Sequence, residues 1–572
     1  MAAKSQKKGQ YTKYSNKIGL YSNVKGNFIK NDTDVVLHFP FKDAVLEAGM
    51  SKEDVGREER FLQVDIDSKD IDTLEEPKVL TDFRYIDKNG EKTLTADSDI
   101  EFFDENDDLK QNMLIKGNNL LALYTLREKL AGKVKLIYID PPYNTKGDAD
   151  TFTYNNNFNH SAWLTFMKNR LEVAKELVTQ DGFIAIAIDH VELFYLGVLA
   201  DEIFGAHNRV GIVTVVHNPK GRNQAKFFSA NSEFMLVYAR DIENANFNKV
   251  ALTEAQAKSF TERDEKGTFR YEPYIRSRTA WSRKNRPNNW YPLYVSSDLK
   301  TISSNKFDNA KYELFPVPST GKEMSWKNIK ETFDELNKDG YFIAKREGNT
   351  VVIYHKYYEQ SVLKNVWDDK RYQSEFNGTK LLKSLVPDTK FSYPKSLYTV
   401  LDTIRIMTKP EDVVIDFFGG SLTTAHAVLE ANIMDNGSRK FVMVEQLEEH
   451  VDVGIKRLKK IVDKNDASFV YLELKKYNQE YIERINAADS LKELEEIYVE
   501  IRNNAFLKFW FTQGDFEKDT DFRNLDLSAR KQVLISVLDE NQLYLNYADM
   551  NDTRHEVTNT EKTLTDRFYD TH

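Results

Sequence analysis

No cysteine occurs in the sequence. That removes disulfides, thiolate zinc sites and cysteine nucleophiles together, and it fits a reducing, cytoplasmic setting. No apolar run approaches the roughly 18 residues of a membrane helix, and the basic start "MAAKSQKKGQYTKYSNK" has no apolar core of the kind a signal peptide carries. Two phosphate-binding patterns are also missing. Neither G-x-G-x-x-G nor G-x-x-x-x-G-K-[ST] is present, which argues against a dinucleotide fingerprint and a P-loop. Without cysteine and with only 10 histidines, no metal centre is expected. An excess of positive charge is lacking too, since 80 Lys and Arg face 90 Asp and Glu for a net charge of −10. In a chain of 572 residues this does not exclude nucleic acid, because contact with phosphates depends on a local basic stripe.

Hydrophobic residues, at 41%, are plentiful enough for folded cores, and at roughly 100–200 residues per domain the length suggests about three to five units. Residues 1–110 are charged and aperiodic and end in "DSDIEFFDENDD" (97–108), read as an N-terminal extension closing in a solvated linker. An α/β rhythm then begins. "KVKLIYID" (133–140), "DGFIAIAIDH" (181–190) and "EFMLVYAR" (233–240) read as strands, and "HSAWLTFMKNRLEVAKELV" (160–178) reads as a helix between the first two. Continuous apolar strands alternating with helices predict a mostly parallel sheet covered on both faces. Residues 111–240 therefore form one half of an α/β domain. The rhythm is lost over 241–385, which is polar, aromatic and basic, and it resumes over 386–475 with "DVVIDFFGGS" (412–421), "LTTAHAVLEAN" (422–432) and "RKFVMVEQ" (439–446). The α/β domain is thus expected to be split by an insert and followed by a charged, helical C-terminal domain, 476–572.

Two loops carry candidate chemistry. In "YIDPPYNTKG" (138–147) an acid and an aromatic flank two prolines at the end of a predicted strand. Such a turn is rigid, because each proline fixes its own backbone dihedral and removes an N–H. In "VVIDFFGGSLTTAHAV" (413–428) a strand runs into a glycine turn and then a helix, so backbone N–H groups and a helix N-terminus can approach a ligand closely. Asp416 ends that strand and Glu445 ends the next one, where an acid accepts hydrogen bonds from ribose hydroxyls. With phosphate motifs absent, an adenosyl cofactor fits best. Both loops belong at the carboxyl ends of strands in one parallel sheet, the edge at which such folds bind ligands. Their convergence suggests methyl transfer to an amino group.

D-P-P-Y followed by a glycine-rich F-x-G loop resembles the signature pair of S-adenosylmethionine-dependent amino-methyltransferases. The order of the two motifs, with an insert between them, resembles β-class DNA adenine-N6 methyltransferases. The strings "GNNLLAL", "FNHSAWLTFMKNRLEVAKELV", "FSANSEFMLVYAR", "YPKSLYTVLDTI" and "LDENQLYLNYADM" resemble the modification (Mod) subunit of type III restriction–modification systems. The resemblance implies a circularly permuted, Rossmann-like methyltransferase fold with an inserted target-recognition domain. It implies a flipped-out adenine in double-stranded DNA as substrate, a homodimer, and a Res helicase–nuclease subunit as partner. Tyr143 would stack on the extruded base, while Asp140 and the Pro141 carbonyl accept from its exocyclic amine and Pro142 removes a competing donor. Asn118, Asp140, Asp416, Phe418, Gly420, Ser421, Thr423 and Glu445 would line the cofactor pocket, with Thr424 at the same helix start and Lys395 near the methionine carboxylate. Two positions depart from the family pattern. Leu422 stands where glycine or alanine is usual, and a φ > 0 there would strain it. Asn118 stands where aspartate is common.

The DNA-reading expectation rests on "YIRSRTAWSRKNRPNNWYPLY" (274–294), where Arg276, Arg278, Arg283, Lys284 and Arg286 interleave with Trp281, Trp290 and Tyr291 and no acid intervenes. Lys220, Arg222 and Lys226 add a second basic stretch. Taken alone such segments read as solvated loops, and it is their place between the two motifs that suggests a groove-facing surface. His160 and His426 read as capping or packing residues. Two other readings remain open: cytosine-N4 methylation, which shares the chemistry but often replaces the first Asp of D-P-P-Y with Ser, and a catalytically silent DNA-binding subunit.

Overall fold

The computed structural model describes residues 75–145, 160–221, 227–248, 260–358 apart from 277 and 319, 364–505, 507, 525–538 and 543–570, with short strand segments among residues 21–62. The chain forms two compact units, Met1–Asn248 with Lys364–His572, and Lys249–Leu363.

The first unit is built on an eleven-stranded sheet. Its elements in chain order are β1 (Leu80–Asp87), β2 (Gly90–Thr93), β3 (Met113–Lys116), α1 (Asn119–Leu130), β4 (Val134–Ile139), α2 (His160–Leu177), β5 (Val178–Ile188), β6 (Arg209–Val215), β7 (Glu233–Ala239), β8 (Val366–Trp367), α3 (Leu397–Met407), β9 (Val413–Asp416), α4 (Thr423–Asp435), β10 (Lys440–Glu445), α5 (Glu448–Asn465) and β11 (Phe469–Leu474); a later helix, α6, spans Asn559–Tyr569. The spatial order is β8-β6-β7-β5-β4-β9-β10-β3-β11-β1-β2. The strands from β5 to β11 in that order run parallel. Their near-continuous apolar sequences agree with this, since strands covered on both faces need no polar alternation; all six residues of β4 are buried.

The position of β4 beside β9 fixes the functional geometry. Ile137 pairs with Ile415 across the join, so the two motif loops leave the sheet side by side although most of the chain's middle separates them. β7 runs antiparallel to β5, with Phe234 opposite Ile188. The first residue of β7, Glu233, therefore lies at the carboxyl edge of the parallel strands.

Three expectations are revised. The stretch 97–108 is not a solvated linker, because Phe102 and Phe103 are buried and pack their rings 5.6 and 5.3 Å from Phe568 of α6. Residues 80–93 are not an extension but edge strands of the same sheet. The insert closes at Leu363 rather than 385, since Val366–Trp367 pairs with β6.

The second unit holds a four-stranded antiparallel sheet of Glu262–Asp264, Gly267–Pro273, Thr350–Tyr358 and Phe342–Glu347. A small aromatic core of Tyr274, Tyr291, Trp326, Phe333 and Phe342 lies within it. Among the described residues, no helix is long and apolar enough to cross a membrane.

Candidate active site

The Asp140-Pro141-Pro142-Tyr143 loop is held from several sides. The indole N–H of Trp163, a fully buried residue of α2, donates to the Pro142 carbonyl at 2.8 Å. Asn144 adopts φ +54°, and its amide donates to the buried Glu192 at 2.7 Å, an oxygen that also lies 2.7 Å from His160 Nδ1.

The glycine loop is equally constrained. Asp416 accepts from the Phe418 backbone N–H at 3.0 Å through one oxygen and from Thr424 at 2.6 Å through the other. Burial pushes its carboxyl well above the ordinary range. Glu445 accepts from the Gly420 N–H at 2.7 Å and from the Gln446 and Leu447 N–H groups, each at 2.9 Å. Burial works against its charge, but His450 and those backbone donors outweigh burial and hold it below its ordinary value. Gly420 has φ +50°, and a Cβ there would come within 3.3 Å of the Phe391 ring.

The two loops open into one cavity that continues into solvent. Asp140, Pro142, Lys395, Asp416, Phe418, Gly420, Ser421, Thr423, Thr424 and Glu445 line it, joined by Asn119, Phe391 and Tyr393. Asn118, expected against the cofactor, caps α1 through a 3.0 Å bond from the Leu120 N–H; its neighbour Asn119 lines the cavity. Ser421 and Thr423, expected to face the cofactor, share a buried partner that the sequence did not suggest. The Arg457 guanidinium of α5 donates to their hydroxyls at 3.2 and 2.8 Å and to the Ser421 carbonyl at 3.0 Å.

Lys395 is not an isolated cation. Its ammonium lies 2.5 Å from Glu233 and 3.3 Å from Asp140, and it hydrogen-bonds the Tyr143 hydroxyl. Tyr143 also donates to Glu233 at 3.3 Å. Burial raises the Asp140 carboxyl; Lys395 opposes that rise and Glu233 adds to it. Burial likewise works against the Lys395 charge, but Asp140 and Glu233 outweigh it and raise its ammonium above the ordinary value.

A family model described as DNA methylase matches residues 134–456, more than half of the chain. The chain belongs to this DNA methylase family. The family's methyl donor is S-adenosylmethionine, and the cavity suits it: glycine-lined walls allow close approach, and the Glu445 carboxylate lines the same cavity. Among curated relatives, the chain is 27% identical to the probable type III restriction-modification enzyme HindVI Mod subunit of Haemophilus influenzae, over 98% of this chain and 88% of that protein. It is 33% identical to the EcoPI Mod subunit of Escherichia phage P1, over 62% of this chain and 60% of that subunit. The type II methyltransferase M.KpnI of Klebsiella pneumoniae is 29% identical over 58% of this chain and 79% of its own length. The solved M1.HpyAVI–SAM complex aligns at 16% identity and TM-score 0.29, covering 60% of this chain and 98% of that one.

In this DNA methylase the residues expected to face DNA are distributed unevenly. Arg222 and Lys226 lie outside the described residues, and Lys220 is exposed. In the second unit Arg276, Arg278, Arg283, Lys284 and Arg286 are all exposed. Arg276 and Arg286 lie 4.7 and 4.6 Å from the Trp281 ring centre, and Arg283 lies 4.7 Å from that of Trp290. Trp290 in turn stacks on Phe315. Tyr291 belongs to the core instead, its hydroxyl 3.3 Å from that of Tyr274.

Proposed function

We propose that the chain transfers the methyl group of S-adenosylmethionine to N6 of an adenine rotated out of duplex DNA, acting as the modification subunit of a type III system. The carrying observation is the shared cavity of Asp140 and the Gly419-Gly420 loop. Bound there, S-adenosylmethionine supplies an electrophilic methyl carbon on a sulfonium. Asp140 and the Pro141 carbonyl accept hydrogen bonds from the exocyclic amine and align its lone pair, Tyr143 offers a ring face to the flipped base, and Trp163 keeps the loop's direction fixed. Catalysis is then positioning and charge complementarity, with no covalent enzyme intermediate. The aspartate at position 140 favours adenine over cytosine. Similarity to one Mod subunit along nearly the whole chain supports a homodimer that joins a Res subunit. The exposed arginine–tryptophan surface of Lys249–Leu363 supports a target-reading role for that unit.

Incubation of the purified chain with S-adenosylmethionine and unmethylated genomic DNA, followed by nucleoside mass spectrometry, should yield N6-methyladenine. N4-methylcytosine in its place would refute the adenine assignment. Asp140→Ala should lower transfer by at least about a hundredfold while DNA binding, read by mobility shift, stays intact.

A further inference from the structure

Glu233 belongs to none of the motif loops, yet it is buried beside the reacting groups. It starts β7, and the antiparallel run of that strand carries it to the edge where β4 ends. Its oxygen takes the Lys395 ammonium at 2.5 Å, while Asp140 stands at 3.3 Å. One cation therefore serves two carboxylates, and the shorter pairing is with the acid outside the motif.

We propose that Glu233 is a positioning residue that draws the Lys395 ammonium away from Asp140, so that the Asp140 carboxylate stays available to the substrate amine while Lys395, still nearby, favours its charge. This rests on the methyl-transfer reading given above. The amine nitrogen donates its lone pair to the methyl carbon, whose bond to sulfur breaks with the electron pair remaining on sulfur; the proton left on nitrogen then goes to water. During this step positive charge gathers on the amine. With Lys395 charged, Asp140 and Glu233 leave a net charge of −1 beside it, which attracts the developing cation. Without Glu233, Lys395 would pair fully with Asp140, cancel that charge and occupy the lone pairs the amine needs. Without Lys395, two close carboxylates would share a proton.

The titratable groups facing Asp140 are Lys395 from the loop before α3, Glu233 of β7, Tyr143 of the same loop, Tyr138 of β4 and Asp416 at the end of β9. Of the charged groups, Glu233 raises the Asp140 carboxyl and Lys395 lowers it, so their removal moves the acid limb of activity in opposite directions. Activity requires ionised Asp140 and is lost as pH falls through its pKa. Tritiated S-adenosylmethionine and unmethylated genomic DNA are used to measure kcat, KM and the pH profile for the full chain and its variants. Glu233→Gln should lower kcat at least about tenfold, leave KM for S-adenosylmethionine within about threefold, and shift the acid limb to lower pH. Glu233→Asp should recover part of the rate. Lys395→Met should shift the acid limb to higher pH, and it carries the test alone should Glu233→Gln not fold.

A Glu233→Gln enzyme with wild-type kcat and an unmoved limb overturns the inference. So does a loss of rate in both variants without opposite shifts, which marks a merely structural role. A Lys395→Met enzyme whose only change is a raised KM for S-adenosylmethionine also overturns it, since Lys395 would then serve the cofactor. Asp140→Asn separates this inference from its parent. Retained transfer in that variant defeats the parent reading, whereas an inactive Asp140→Asn beside an unaltered Glu233→Gln defeats this inference alone.

Discussion

Leu422 occupies the left-handed region at φ 56° and ψ 41° and is fully buried. A branched residue pays roughly 1–2 kcal/mol for that backbone, so something must compensate. Two glycines do. A Cβ on Gly454 would meet Leu422 Cγ at 2.5 Å, and one on Gly419 would meet Leu422 Cδ2 at 2.9 Å. The side chain fills a hollow that only glycine at both positions leaves open. Leu422→Gly should therefore destabilise the fold by about 1–3 kcal/mol despite relieving the backbone, because the cavity outweighs the strain. Gly454→Ala should cost several kcal/mol in the parent chain and much less in the Leu422→Gly background, a coupling that a double-mutant cycle in urea would read directly. Additive effects would mean that the two residues do not share this hollow. The strain foreseen from sequence is thus present, while its compensation, 32 positions further on in α5, has no local signal.

Helices α4 and α5 are joined by a buried polar brace. Arg457 donates to His426 Nδ1 at 3.1 Å as well as to Ser421 and Thr423, and His426 Nε2 faces Glu430 at 3.4 Å. Burial draws the Arg457 guanidinium down to about 9 and holds His426 down at about 4. An ordinary histidine titrates near 6.5, so the unfolded chain takes up this proton before the folded one. Stability is then fully present above about pH 6.5 and falls as pH drops toward 4, by roughly 3 kcal/mol at most for this group. Replacing His426 with Gln should flatten that acid limb in thermal melts across pH 7 to 4. Arg457→Met should cost about 1–3 kcal/mol and weaken S-adenosylmethionine binding about tenfold in calorimetry, since the Ser421–Thr423 turn loses its support.

At this scale the legible parts were the continuous apolar strands and the two motif loops, where composition and turn residues act locally. Phe102 and Phe103 were hidden by their acidic neighbours. Arg457 was hidden in the basic run "IKRLKKIVDK", and Glu233 in a strand whose catalytic neighbourhood exists only through sheet order and an antiparallel turn.

Within the first unit, the stretch around Lys78 and the C-terminal residues 543–570 close on each other. Lys78 is fully buried, and its ammonium donates to Asn546 at 2.5 Å, while Tyr569 of α6 donates to the Lys78 carbonyl at 2.7 Å. Burial lowers the Lys78 ammonium to about 8, against about 10.4 in an unfolded chain. The folded state therefore carries a cost below pH 8 that is relieved as pH rises toward 10. Urea denaturation should show stability increasing between pH 7.5 and 9.5, and Lys78→Met should remove that increase; a flat profile in the parent chain would contradict the burial of this charge.

The adjacency of β4 and β9 also has a consequence in time. A ribosome adds roughly 5–20 residues per second, so β4 emerges long before β9, the strand that must hydrogen-bond it. Lys249–Leu363 is made in between and is compact in itself, so it can complete its own core while β4 still exposes an unsatisfied apolar edge. Nascent chains of this protein should pass through a stage in which the inserted unit is already native and the catalytic sheet is still open, and that interval is when the chain is most exposed to aggregation and most dependent on chaperones.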